Sequence, residues 1–222
     1  EDVISMIQDE LKNKILFIAD GHHRYQTAVE FAEEMKKKTG NIDEDAAFNY
    51  RMVILVNMFD KGLVILPTHR LIKKPNMDID GLLSEAKQYF TVEEKTVDTS
   101  KTTSKDVCKK IREELKTDNG NHKFALYTKG KYYILTLKDE RYMDEFAKDK
   151  SKTWRRLDVS ILHKIILEYL MGINSENLED HVKYTRVDEE AVKFVDEGMF
   201  DLSFLMNPTR ISELKAVADA GE

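Results

Sequence analysis

The chain has 222 residues, enough for one large domain or two small ones, with 41% hydrophobic residues to build a core and 34% charged residues to solvate a surface. Its formal net charge is −6, and its longest basic run, Lys36-Lys37-Lys38, sits where a helix C-terminus favours cations, so a phosphate-backbone binder is disfavoured and no nucleic-acid partner is expected. No apolar run approaches the ~20 residues of a membrane span, no secretory leader is legible, and a single cysteine, Cys108, excludes an internal disulfide. These features predict a cytoplasmic protein without a membrane partner. The opening at Glu1 without a start methionine, and an end at Gly221-Glu222 after a helical pattern, suggest a piece of a longer protein.

Val3, Ile4, Ile7 and Leu11 alternate with polar groups and predict a short helix over Asp2 to Lys12. The apolar run Ile15-Leu16-Phe17-Ile18-Ala19 then reads as a strand buried on both faces. It feeds through Asp20-Gly21 into an amphipathic helix on which Tyr25, Ala28, Val29, Ala32 and Met35 recur at helical spacing, until Thr39-Gly40-Asn41 stops it. A polar loop follows over Asn41 to Ala47. Tyr50 to Phe59 is expected as a second apolar strand, with Asp60-Lys61-Gly62 as a hairpin turn and Leu63 to Pro67 as the return strand.

From Asp78 the pattern changes. Ile79, Leu82, Leu83 and Ala86 mark a helix, Phe90-Thr91-Val92 a strand, and Lys95 to Lys105 a polar connector. Val107, Ile111 and Leu115 lie on a further helix that Asp118-Asn119-Gly120-Asn121 ends, and Phe124 to Tyr127 and Tyr132 to Leu135 form a hairpin across Lys129-Gly130. Leu157 to Met171 is the most hydrophobic helix, ended by Gly172. Val182-Lys183-Tyr184 reads as a short strand, Glu189 to Val195 as a helix, Asp201 to Met206 as a strand, and Asn207-Pro208-Thr209-Arg210 as the opening of the last helix. The expected class is mixed α/β: a core of residues 1–77 and 151–222, and an inserted α+β subdomain of residues 78–150.

The chemistry concentrates at Asp20-Gly21-His22-His23-Arg24-Tyr25. The first turn of a helix leaves backbone N–H groups unpaired at the positive end of the dipole, which suits an anion. Gly21 permits a tight turn, Arg24 offers a planar fork for phosphate or carboxylate, Asp20 can orient a hydroxyl or hold a cation, and a histidine can donate to an anion near neutral pH. The structural alternative is a helix cap and a hydrogen-bonded turn. Neighbouring histidines diverge in direction and no spaced Cys or Glu accompanies them, so no metal site is predicted from protein ligands. No Walker-type loop, nucleophile elbow or dinucleotide fingerprint is present.

Ile18 to Tyr25, Asn49-Tyr50 and Leu66-Pro67-Thr68-His69-Arg70 resemble the DUF1015 family, and the resemblance extends through Phe204 to Thr209 towards Gly221. The Asp20-Gly21-His22-His23-Arg24 core is also similar to the motif that lies at the phosphoryl-transfer site of free-serine kinases of the ParB/sulfiredoxin-like fold. That resemblance implies a ParB/sulfiredoxin-like core and a small-molecule phosphotransferase acting on a serine-like hydroxyl, with Mg²⁺ and ATP or ADP. Asp20, His22, His23 and Arg24 would be the catalytic group, with Gly21 and Tyr25 binding ligand; Asn49, the strand-end triplet Thr68, His69 and Arg70, which the DUF1015 resemblance includes, and Thr209 before the last helix are further ligand-binding candidates. Those kinases place a catalytic glutamate well upstream of the motif. Only nineteen residues precede Asp20 here, so the base is not carried over.

The alternative function is a non-catalytic sensor that binds a phosphorylated or carboxylate metabolite at the same turn. Asn207 has a structural reading as helix cap with Pro208 in the first turn. His163 reads as a satisfied helix-edge histidine, His122 as an exposed turn residue, and His181 as part of an acidic patch with Glu179 and Asp180. The oligomeric state is left open.

Overall fold

Short strands, the inner ones buried on both faces, build the centre of the protein, a six-stranded, wholly antiparallel sheet in the order Phe90–Thr96, Lys131–Leu137, Lys123–Thr128, Leu202–Met206, His69–Ile72 and Val182–Thr185. The computed structural model describes residues 2–98, 101–116 and 120–221. Glu1, Glu222, positions 99–100 of the expected connector, and Asp118-Asn119 of the expected helix stop lie outside the described residues. The chain divides into two units, residues 1–60 and 61–222.

In the first unit, α1 (Asp2–Leu11) and α2 (His22–Thr39) form as the apolar spacing predicts. Gly40 ends α2 at φ 64°, its N–H donating to the Lys36 carbonyl at 3.0 Å. A short 3-10 turn, Ala47–Asn49, packs on α2. The expected strands do not form: among the described residues of this unit there is no strand, and Ile15 to Ala19 and Tyr50 to Phe59 run in irregular conformation. An apolar run becomes a strand only when a neighbour pairs its backbone groups, and here no ladder forms. The side chains of Ile15, Leu16, Ile18, Met52 and Ile54 are consequently exposed.

In the second unit, Leu63 to Pro67 is likewise irregular, and Asp60-Lys61-Gly62 therefore turns between two unpaired segments. β1 (His69–Ile72) begins directly afterwards. Then come α3 (Ile79–Ala86), capped by the Asp78 carboxylate accepting from Gly81 N–H at 2.7 Å, β2 (Phe90–Thr96) and α4 (Ser104–Leu115). β3 (Lys123–Thr128) and β4 (Lys131–Leu137) form the expected hairpin, with Gly130 at φ 82° in the turn. Short helices α5 (Tyr142–Phe146) and α6 (Lys152–Arg155) precede α7 (Asp158–Ile161), which continues into π-helical turns over Leu162–Leu170. The chain closes with α8 (Leu178–His181), β5 (Val182–Thr185), α9 (Asp188–Asp196), β6 (Leu202–Met206) and α10 (Ile211–Asp219).

Both faces of the sheet are covered. Phe124, Leu126, Phe204 and Ile72 point to one core with α3, α7 and the π-helical turns, whereas Ala125, Tyr127, Leu205 and Leu71 point to a second core with α4 and α9. This period-two division is why β3 and β6 are apolar at nearly every position. It also corrects the expected inserted subdomain. β3 pairs with β6 through Phe124↔Met206 to Tyr127↔Ser203, so strands from residues 78–150 share one sheet and two cores with β1, β5 and β6. The last helix starts at Ile211 rather than at Pro208. Its Arg210 N–H donates to Glu213 Oε2 at 2.8 Å, and Asn207 instead donates to the Leu115 carbonyl at 2.9 Å.

Candidate functional site

Gly21 enters α2 at φ 87°, a left-handed conformation that a side chain disfavours. Arg24 folds back over it: a Cβ at position 21 would meet the guanidinium at 3.0 Å. Arg24 Nη2 donates to Asp20 Oδ2 at 2.9 Å, in a pair that is largely exposed. Tyr25 N–H closes the first intrahelical bond on the Gly21 carbonyl at 2.9 Å, and no side chain caps the turn. The backbone N–H groups of His22, His23 and Arg24 therefore face outwards at the positive end of an 18-residue helix that has no acidic residue in its first turn. His22 and His23 are exposed beside them. Gly21→Ala is expected to cost about 1–2 kcal/mol of local stability, through the left-handed backbone and the displaced Arg24, and a drop in helical circular dichroism would register it.

Asn49 and Tyr50 belong to the same unit and use their polar groups within their own loop. Asn49 donates to the Asp43 and Glu44 carbonyls at 2.9 and 3.2 Å, and the Tyr50 hydroxyl donates to Asp45 Oδ1 at 2.8 Å.

In the second unit, Thr68-His69-Arg70 carry the chain into β1, where His69 and Arg70 are buried. His69 Nδ1 accepts from Met206 N–H at 3.3 Å, so the ring proton sits on Nε2 and is donated to Asp188 Oδ1 at 2.7 Å. Arg112 grips the same carboxylate through Nε, at 2.5 Å, and through Nη2. Burial alone would raise the Asp188 carboxyl, but the hydrogen bonds from His69 and Arg112 outweigh it and hold that group well below the usual carboxylate range. Arg70 reaches the other core face. Its Nε and Nη2 donate to His163 Nε2 at 3.2 and 3.1 Å, and Nη1 donates to the Thr68 carbonyl and contacts Met206 Sδ. Thr209 lies half-buried between β6 and α10.

Several of these partners left no local signal. Asp188, Arg112 and Tyr184 were not singled out by motif, and His163 proves to hold Arg70 rather than merely to edge a helix. His122, expected to be exposed, has a side chain only 11% exposed; its Nδ1 lies 2.6 Å from Asp158 Oδ1 and its Nε2 3.5 Å from Glu140. Burial alone would lower that imidazole, but Asp158 and then Glu140 raise it above the ordinary value. His181 contacts the Lys73 carbonyl through Nδ1 at 3.1 Å. Among the described residues no group of three or more His, Cys, Asp and Glu side chains is arranged to hold a metal ion, and no helix is long and apolar enough to cross a membrane.

Together these features define a mixed α/β protein, with an anion-suited helix entry in its first unit and an antiparallel sheet covered on both faces in its second. The chain belongs to the family described as Protein of unknown function (DUF1015), whose model matches residues 1–160. No curated protein and no solved structure matches it.

Proposed function

We propose that the Asp20–Tyr25 turn binds the phosphates of a nucleotide and serves phosphoryl transfer to a small, serine-like hydroxyl metabolite, as the motif's resemblance to the ParB/sulfiredoxin-like free-serine kinases implies. The observation that carries this reading is the uncapped first turn of α2, with Arg24 folded over a left-handed Gly21. In the transfer, the substrate oxygen forms a bond to the terminal phosphorus, the bond to the nucleoside diphosphate breaks, and the hydroxyl proton leaves to a carboxylate or to solvent. The backbone N–H groups after Gly21 and the Arg24 fork would hold phosphate oxygens, and His22 and His23 would donate to the transferring group. Asp20 fits Mg²⁺, being an exposed hard-oxygen donor that spends only Oδ2 on Arg24. The ion would supply charge neutralisation between phosphate oxygens.

One observation favours a second reading, a sensor for a phosphorylated or carboxylate metabolite. Asp20, the one carboxylate of the Asp20–Tyr25 turn, has Oδ2 hydrogen-bonded to Arg24 at 2.9 Å, so the turn offers donors for an anion but no second carboxylate to receive a hydroxyl proton. Calorimetric titration with ATP and ADP, with and without Mg²⁺, followed by ³¹P detection of a phosphate ester from ATP and serine, separates the two. Arg24→Ala is expected to weaken nucleotide binding by about ten- to a hundredfold, the value of one or two charge-assisted hydrogen bonds. Nucleotide binding without ester formation would select the sensor, and absence of any phosphate-ligand binding would overturn both.

A further inference from the structure

Arg70 is a buried cation without an anion. Its residue is 5% exposed, and among the described residues no carboxylate pairs with it. Its partners are dipoles and a ring: the His163 imidazole, the Thr68 carbonyl, Met206 Sδ, and the face of Tyr184 with the ring centroid 5.5 Å from Cζ. A guanidinium keeps its proton at any physiological pH, and taking an uncompensated charge out of water costs several kcal/mol. Burial lowers Arg70 only to about 10, which leaves it a full cation at neutral pH. Arg112, only partly buried, has the Asp188 carboxylate as its partner. Arg70 has none, and it opens on a cleft of about 450 Å³.

The walls of that cleft select the ligand. Trp154, Ile173 and Tyr184 give it an apolar or aromatic lining, and Ser160 and His163 supply polar groups beside Arg70. Arg70 only donates, so His163 Nε2 must carry a lone pair, which places the ring proton on Nδ1. Burial, then the charge of Arg70, push His163 down to about 4, so it holds the guanidinium in place as a neutral ring. His163 stands in the π-helical turns of Leu162–Leu170, a distortion that often marks functional positions. Lys164 and Glu168 both line the cleft and neutralise each other in an ion pair at 2.7 Å, which leaves Arg70 as the cation of the lining without a carboxylate. One guanidinium without a carboxylate, an apolar wall and an otherwise neutralised lining fit a monoanion with a hydrophobic body.

We propose that the cleft between β1, β5 and the π-helical turns binds a small organic monocarboxylate, its carboxylate on Arg70 and its apolar or aromatic body against Trp154 and Ile173. All the residues that line this site lie within residues 61–222.

The test is calorimetry on the whole chain with phenylacetate and benzoate, uncharged phenylacetamide as the isostere, and inorganic phosphate. The carboxylates are expected to bind and the amide not to. Arg70→Met is expected to weaken phenylacetate by at least about tenfold without lowering the ligand-free melting temperature, because it removes a buried unpaired charge. Arg70→Lys, which keeps the charge and loses the fork, is expected to fall between. Saturation with phenylacetate is expected to move the His163 midpoint in NMR titration upwards, since a bound anion offsets the neighbouring cation. Asp20→Asn is expected to leave all of this unchanged, so loss of the nucleotide reading would not touch it. Equal binding of acid and amide, preference for phosphate, no carboxylate binding below about 10 mM, or unaltered binding by both Arg70 variants would each overturn the proposal.

Discussion

Asp188→Ala is expected to lower the stability of the sheet-bearing unit by about 2–3 kcal/mol, less than the loss of one partner of a fully buried ion pair, because the Arg112 and Asp188 side chains stay 28% and 22% exposed whereas His69 is wholly buried. The carboxylate answers two groups at once. Arg112 reaches it from α4, and His69, which has no exposed surface, reaches it from β1. Deleting it strands both donors, and α4 and α9 lose the polar clasp between them. Urea denaturation gives the number; a cost under about 1 kcal/mol would mean that water substitutes for the carboxylate. Replacing all three groups by apolar residues of similar volume is expected to restore much of the loss, because the cost lies in unpaired partners. The pH dependence has a definite sign. Asp188 is held below its ordinary value of 3.8, so its contribution is fully present above that value and is lost as pH falls through the lower folded-state value. The wild type is therefore expected to lose stability on acidification below about pH 4 more steeply than Asp188→Asn, read by denaturant midpoints at stepped pH.

What the sequence disclosed was local. The helical spacing of Ala28, Ala32 and Met35 located α2, and two apolar runs about Lys129-Gly130 located the β3–β4 hairpin, because periodicity and turn chemistry act within a few residues. The same reasoning misread Ile15 to Ala19 and Met52 to Val56. Their composition suits a strand, but a strand is a relation between two segments, and β1 pairs with β5 and β6 instead. Long-range pairs were invisible for the same reason. His69 and Asp188 are separated by 119 positions, Arg70 and His163 by 93, and neither spacing has a motif. The Asp20–Tyr25 turn was legible because its residues are consecutive. The Arg70 cleft was legible only as a polar triplet after Pro67; that its guanidinium lacks an anion is a fact of the assembled sheet.

Phe204→Ala is expected to cost about 3–5 kcal/mol, the transfer term of a buried ring plus the cavity left where surrounding strands cannot collapse. Phe204 is wholly buried in β6, opposite Leu126 of β3 on one side and Arg70 of β1 on the other. It thus lies where strands from residues 78–150 meet those from either side of that stretch. If the sheet is one cooperative structure, the variant should show a single lowered transition, with hydrogen exchange accelerated in β3 and β1 together. Two transitions, with β2, β4 and β3 protected after β1 and β5 exchange, would return residues 78–150 to the status of a separate folding unit. The contrast with Arg70, directly across the β1–β6 ladder, sharpens the argument. Truncating the phenylalanine removes cohesion, whereas Arg70→Met removes a buried charge, so a melting temperature that falls in the first variant and holds in the second would separate the packing role of the β1–β6 ladder from the charge that it carries.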